Sequence, residues 1–239
     1  MSHDTSGVGR DGWRYFWLWV LGAAVGWFEA SVVVYLRELY FPQGFRFPVV
    51  LAPPRIAMVE LARELASIVL LAAAARLAGQ HFLRRFGAFM LLFGVWDLVY
   101  YASLKLVLDW PASLRDWDVL FLIPVPWLGP VWAPCLISLL LVATGSYLYF
   151  TATRDRAYRL LDWTVEVVAG LLVVLSFTWN WRVILEHRVP EEFPAAVFWA
   201  GVLLGTGWFL SVEPRARRQR RRRSTSPDAA VDRAGPAGD

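Results

Sequence analysis

The chain has 239 residues, of which 57% are hydrophobic, and its formal net charge is +4. Charged residues make up only 18% of the chain, whereas a soluble domain carries roughly 25%. Several apolar runs approach the ~20 residues that a helix needs to cross a bilayer, so the composition excludes a soluble domain and predicts an integral membrane protein.

The predicted elements form an all-α, polytopic helical bundle that crosses the membrane about six times. Residues 1–12 are polar and lack the basic segment and short apolar core of a removable signal peptide. We expect residues 1–12 to form a tail, residues 13–212 to form one transmembrane domain, and residues 213–239 to form a basic, disordered tail. The spans are predicted at 15–39, 57–77, 86–107, 130–151, 159–183 and 193–211.

The first two spans carry ionisable side chains inside apolar sequence. Glu29 lies in the first span. The stretch MVELARELAS, at the start of the second, holds Glu60, Arg63 and Glu64. Residues at i, i+3, i+4 and i+7 share one face of a helix, so Ser67 lies on the same stripe. An unpaired charge near the middle of a bilayer costs about 3 kcal/mol. We therefore expect this stripe to face the interior of the bundle.

Two pairs of glycines have the spacing that allows membrane helices to approach closely. Gly22 and Gly26 lie in the first span, and Gly201 and Gly205 lie in the last. The pattern favours helix packing within the chain over dimerisation.

The third span and the segment after it extend the polar pattern. Asp97 and Tyr101 are one helical turn apart and are expected to join the acids of the first two spans in the outer half of the bundle. The next segment, DWPASLRDWDVLFLIPVPWLGPVWAP, is rich in Pro and Trp, and proline excludes a regular helix. Lipid cannot satisfy an irregular backbone, so we expect this outer loop to cap the bundle.

The fifth span supplies two secondary candidates, Glu166 and Asn180. The single cysteine, Cys135, excludes an intrachain disulfide, and the three histidines form no metal-binding pattern. We therefore predict no metal ion and no cofactor.

Arginine distribution predicts the orientation, because cytoplasmic segments are enriched in Lys and Arg. The run Arg215–Arg223 contains seven arginines, and arginines also occur in the short loops on the same side. We expect an inner-membrane protein with both termini in the cytoplasm, whose arginine tail contacts anionic lipid headgroups. Nucleic acid is a disfavoured partner, since no aromatic residues alternate with the basic ones.

The residues match no functional signature, which leaves three classes of function. The first is binding or transport of a small solute or proton at the buried polar site. The second is an accessory or scaffold subunit of a membrane complex, with other membrane subunits as partners. The third is an intramembrane enzyme that uses carboxyl acid–base chemistry on a lipid-type substrate, so enzymatic activity stays open. The candidate substrate-binding or proton-titrating residues are Glu29, Glu60, Arg63, Glu64, Asp97 and Tyr101.

Overall fold

The structure, a computed structural model, describes residues 5–50, 52–152 and 158–224, and the side chains of residues 11–50, 52–152 and 158–215. Within these ranges the chain forms seven helices and two strands. In chain order they are α1 (Thr5–Tyr40), α2 (Pro54–Ala78), α3 (Phe82–Leu108), β1 (Trp117–Phe121), β2 (Trp127–Pro130), α4 (Trp132–Thr151), α5 (Leu160–Thr178), α6 (Arg182–Leu185) and α7 (Ala195–Ser224).

Five helical segments of the described chain are long and apolar enough to cross a membrane. They are Asp11–Tyr40, Phe82–Leu108, Trp132–Thr151, Leu160–Leu185 and Ala195–Arg215. These segments confirm the prediction of a helical membrane protein. Helix α2 is long enough, with 25 residues, but it carries Glu60, Arg63 and Glu64 in its N-terminal half. The sixth span, which would be α2, stays a prediction.

Prolines mark most of the helix boundaries in the first half of the chain. Helix α1 ends at Tyr40, just before Pro42, and α2 begins at Pro54. Proline suits the first turn of a helix, where its missing N–H has no intrahelical partner to lose. Helix α3 is followed by Asp109 in the left-handed conformation, with φ of 50°, and then by Pro111. The sequence therefore sets these ends locally.

The Pro/Trp-rich segment contains a β-hairpin, which the sequence analysis did not predict. Strands β1 and β2 pair antiparallel, with Trp117 opposite Pro130. Pro124 and Pro126 lie between the strands and Pro130 closes β2, so no proline interrupts the interior of either strand. We refer to residues 117–130 as the hairpin. The fold is therefore helical with one small sheet, rather than all-α.

The chain divides into two compact units, and the single transmembrane domain expected over residues 13–212 stays a prediction. The first unit contains α1 to α4, the hairpin and residues 177–194, including α6. The second unit contains α7 and α5 up to Ser176.

Helix α3 is the centre of the first unit, where it packs against α1, α2 and α4. The buried core residues on and around it include Leu71, Leu91, Leu92, Val95 and Tyr149. Side chains of membrane helices gain little by leaving apolar lipid, so these residues stabilise the unit through close van der Waals packing.

Glycines let the helices approach closely. A Cβ on Gly26 would lie 2.5 Å from the backbone oxygen of Trp96, so α1 contacts α3 at that point. A Cβ on Gly201 would lie 2.7 Å from the backbone oxygen of Ala169, which brings α7 against α5 inside the second unit. Both predicted glycine pairs thus pack within the chain. A further close contact, which the sequence analysis missed, joins Gly94 of α3 to α4.

The hairpin lies at one end of the first unit, where α1 and α3 end and α2 and α4 begin. We call this the hairpin end. Here Leu128 of β2 packs with Val183 and Ile184 of α6 in a small apolar core of its own. Trp117 of β1 and Phe47 of the α1–α2 connection pack around that core. The hairpin is therefore a packed part of the unit.

The two predicted tails also differ from the structure. Helix α1 begins at Thr5, inside the predicted polar tail of residues 1–12. Helix α7 continues past Pro214 to Ser224, so residues 213–224 are helical where disorder was predicted. Residues 225–239 lie outside the described residues.

The Gly94 contact gives a testable prediction about helix packing. A Cβ added at Gly94 would lie 2.5 Å from the backbone oxygen of Ser138, so Gly94→Ala should force α3 and α4 apart and destabilise the protein by about 1–3 kcal/mol. The control is Gly170→Ala, since a Cβ there meets nothing within 4 Å. Unfolding in detergent checks both variants. Equal stability of Gly94→Ala and the parent would contradict the packing.

Candidate functional site

A cluster of ionisable and polar side chains joins α1 and α2. The guanidinium of Arg63 donates hydrogen bonds to the carboxylates of Glu29 on α1 and Glu60 on its own helix. The Arg63 Nη2 to Glu60 Oε2 distance is 2.7 Å. The Ser67 hydroxyl donates to the second oxygen of Glu29 at 3.0 Å. We call Glu29, Glu60, Arg63, Glu64 and Ser67 the Arg63 cluster.

The helical stripe predicted from the sequence accounts for this arrangement. Arg63 and Ser67 are one turn apart on α2, and both contact Glu29 of α1. Glu29 is only 5% exposed, so its carboxylate is withdrawn from the surface and is satisfied entirely by these partners. One arginine thus serves two carboxylates that come from two helices.

Glu64 has a different kind of partner. Its carboxylate accepts the backbone N–H of Leu122, at 2.9 Å, and the residue is 6% exposed. Leu122 directly follows strand β1. Glu64 therefore connects the Arg63 cluster to the hairpin, through a neutral hydrogen-bond donor rather than a cation.

Asp97 and Tyr101, which were predicted to share one polar core with the acids of α1 and α2, have hydrogen-bond partners outside the Arg63 cluster. Asp97 accepts the hydroxyl of Ser138 on α4 at 2.7 Å. Tyr101 donates to Asp118 of β1 at 3.1 Å. Tyr100 lies within electrostatic range of both Asp97 and Arg63. The predicted core is thus divided between the two sides of α3.

A second buried ion pair, which the sequence analysis missed, fixes the hairpin to the helices. Arg37, in the last turn of α1, donates to Asp118 of β1 at 2.9 Å. Asp118 also accepts the Tyr101 hydroxyl and the backbone N–H of Val119. The exposed fractions of Arg37 and Asp118 are only 6% and 1%. We call Arg37, Tyr101 and Asp118 the latch.

Aromatic rings surround the guanidinium of the latch. Its central carbon lies 3.7 Å from the ring centroid of Trp110 and 4.3 Å from that of Phe45. A cation over an aromatic face is stabilised by about 0.5–2 kcal/mol, more when it is removed from water. Arg37 is therefore held by an aromatic pocket as well as by Asp118.

Burial raises the pKa of Asp118 above its ordinary value, because the apolar surroundings disfavour the charged carboxylate. The Arg37 guanidinium is the largest opposing influence, followed by the N–H of Val119 and the hydroxyl of Tyr101. The charge on Asp118 thus depends on the arginine beside it.

The two secondary candidates lie elsewhere. The side-chain amide of Asn180 donates to the backbone oxygen of Glu192 at 2.8 Å, which ties the loop between α6 and α7 to the end of α5. Glu166 belongs to the second unit, where its carboxylate lies beside Gly205 of α7. Neither of these contacts involves the Arg63 cluster.

Comparison with known proteins gives no match to this chain, whether with family models, curated proteins or solved structures. The side chains themselves therefore carry the functional argument. Across the described ranges, no three His, Cys, Asp or Glu residues are grouped so that they could hold a metal ion.

The latch predicts a pH-dependent effect of removing its arginine. In Arg37→Gln the main influence that lowers the pKa of Asp118 is lost, so the pKa rises further in the folded state. A raised folded-state pKa contributes stability at low pH that is lost as the pH rises through it. The variant should therefore be only mildly destabilised at pH 5 and destabilised by about 3–5 kcal/mol at pH 8, where a buried carboxylate is left unpaired.

Thermal unfolding in detergent at both pH values measures this effect. The double variant Arg37→Gln/Asp118→Asn has no carboxyl at residue 118, so its own stability should change less between pH 5 and pH 8 than that of the single variant. A single variant whose loss of stability did not change with pH would show that Asp118 does not depend on Arg37 for its charge.

Proposed function

We propose that the protein binds or transports a small cationic solute or a proton at the Arg63 cluster, within the bilayer. The observation that carries the proposal is the surplus of carboxyl groups around a single guanidinium. Glu29 and Glu60 share Arg63, and Glu64 has a backbone N–H as its hydrogen-bond partner. Ionisable residues inside membrane proteins are costly and commonly mark ion or substrate pathways.

The charge balance favours a positively charged ligand over an anion. Arg63 is already engaged by two carboxylates, and Arg37 by Asp118. An incoming anion would have to displace a carboxylate from either guanidinium. A cation or a proton would instead neutralise carboxyls that exceed the cations beside them, which lowers the electrostatic cost of the site.

The proposal includes six spans, with α2 as the sixth, and both termini in the cytoplasm of an inner-membrane protein. The hairpin end then faces outward and the Arg63 cluster lies in the outer half of the bundle. The arginine distribution supports this orientation, and the exposed Trp13 and Trp17 near the start of α1, 61% and 50% exposed, support the placement of that helix end at a membrane–water interface. Such side chains concentrate at the membrane–water interface. We also propose that the run Arg215–Arg223 contacts anionic lipid headgroups on the cytoplasmic side.

Reconstituted protein tests the proposal directly. Proton entry into proteoliposomes is followed with a trapped pH-sensitive dye under an imposed membrane potential. In parallel, the unfolding temperature in detergent is measured with a panel of small inorganic and organic cations and with matched anions. We expect the parent to show proton flux, or a rise in unfolding temperature in the presence of one of the cations. In Glu29→Gln and Glu64→Gln the flux should fall at least tenfold, and the rise in unfolding temperature should disappear.

The control is Asp109→Asn, because Asp109 is an exposed carboxylate of the hairpin end that pairs with Lys105 at 2.6 Å. Asparagine also tolerates the left-handed backbone at this position. Flux and cation response should be unchanged in this variant. A protein that shows neither response, or responses that survive both glutamate substitutions, would contradict the proposal and leave the cluster with a packing role.

A further inference from the structure

We propose that the latch holds the hairpin over Glu64 and thereby controls access to the Arg63 cluster from the hairpin end. The proposal concerns the regulation of that site and rests on the proposed function. It assigns a role to Arg37 and Asp118, which belong to neither the helical stripe nor the Arg63 cluster.

A single short segment carries both contacts. Asp118 binds Arg37 and Tyr101, and Leu122, four residues later, donates its N–H to Glu64. The segment between them is strand β1, which pairs with β2 on both sides of a register shift between Val119 and Phe121. The four peptide links from Asp118 to Leu122 span at most about 14 Å, so a displacement of Asp118 is carried along the covalent chain. Release of Asp118 should therefore move Leu122 away from Glu64.

The remaining contacts between the hairpin and α3 are apolar. The ring of Phe121 lies 6.2 Å from that of Phe93 and 5.9 Å from that of Trp96, measured between centroids. Apolar contacts are not directional, so they allow the hairpin to shift in a way that the polar contacts do not. The hydrogen bonds at Asp118 and Leu122 thus define the closed position.

The closed hairpin covers its target. Glu64 is only 6% exposed and lies in the N-terminal half of α2, the half nearer the hairpin end. A solute or water molecule that approaches Glu64 from the hairpin end must therefore displace the segment around Leu122.

The latch can exist in two states, a closed state in which Arg37 and Asp118 are paired and buried and an open state in which both are hydrated. Arg37 and Asp118 are both nearly inaccessible when paired, so closing removes two charges from water and opening returns both to it. The recovered hydration offsets much of the lost ion pairing. Removing one partner differs from opening, since it leaves the other charge without compensation in the closed position and so favours the open one.

Cysteine accessibility tests the proposal. The single native cysteine is first removed by Cys135→Ala, and Ser67→Cys then places a thiol inside the Arg63 cluster. The probe is a trimethylammonium methanethiosulfonate, a small cation that does not cross membranes. We expect slow labelling when the latch is intact and labelling at least tenfold faster after Arg37→Gln or Asp118→Asn.

Two further variants sharpen the comparison. Tyr101→Phe removes one donor to Asp118 and leaves the ion pair, so it should give an intermediate rate. Asp109→Asn breaks an exposed ion pair at the same end of the unit and should leave the rate unchanged. Equal labelling rates in the latch-intact protein and in both ion-pair variants would overturn the proposal.

Hydrogen exchange provides a second measurement that needs no cysteine. The amide of Leu122 is protected by Glu64 in the closed state, so peptides that contain it should exchange faster in Asp118→Asn while peptides from α5 do not. Faster exchange throughout the protein would show general unfolding and count against a latch. If flux depends on Glu64 but the labelling rate is unchanged in Arg37→Gln and exchange is unchanged in Asp118→Asn, the proposed function stands and the latch is contradicted. If labelling and exchange become faster but flux does not depend on Glu64, the latch stands and the proposed function is contradicted.

Discussion

The first unit is organised by the cost of leaving a carboxylate unpaired where water is scarce. Glu29 lies inside α1, surrounded by apolar sequence, and its charge is compensated only by reaching across to Arg63 of α2. A broken buried pair typically costs 3–5 kcal/mol, because one charge is left without compensation. The register of α1 against α2 is therefore fixed by electrostatics, at a point where the apolar packing of the helices would tolerate alternatives.

The ionisable groups at the two ends of the first unit are balanced differently. At the end opposite the hairpin, Arg84 pairs with Asp11 at 2.6 Å and lies over the ring of Tyr149. This is one cation with one anion, and it has the character of a structural contact. In the Arg63 cluster, one guanidinium donates to two carboxylates, and a third carboxylate, Glu64, accepts a backbone N–H and lies within electrostatic range of the same guanidinium. This excess of carboxylates over cations, rather than the presence of charge, is the observation that supports our proposal of a binding site.

The parts of the site that follow from one helix could be predicted from the sequence. The i, i+3, i+4 spacing placed Glu60, Arg63 and Glu64 together, and the cost of burial indicated that they face inward. Apolar length likewise predicted the five spans that the structure supports. These inferences use only local geometry and solvation, which a single sequence contains.

The partners that lie far apart in sequence could not be predicted in the same way. Arg37 and Asp118 are separated by 81 residues, and their contact depends on a hairpin whose prolines obscure its strands. The alternation of strand residues is short in β1, and the segment 109–134 contains five prolines, which favoured an irregular loop. The hydrogen bond between Asp97 and Ser138 joins residues 41 positions apart. No pattern in α3 or α4 indicates which neighbouring helix Asp97 will face.

The division of the predicted polar core follows from the central position of α3. Successive residues on a helix point about 100° apart, so neighbours in sequence serve different partners. The backbone of Trp96 meets Gly26 of α1, whereas Asp97 meets α4. Asp97 therefore faces α4 rather than Arg63, although Asp97 and Glu29 were both expected in the outer half of the bundle. Tyr100, the residue before Tyr101, lies within electrostatic range of Asp97 and Arg63 alike.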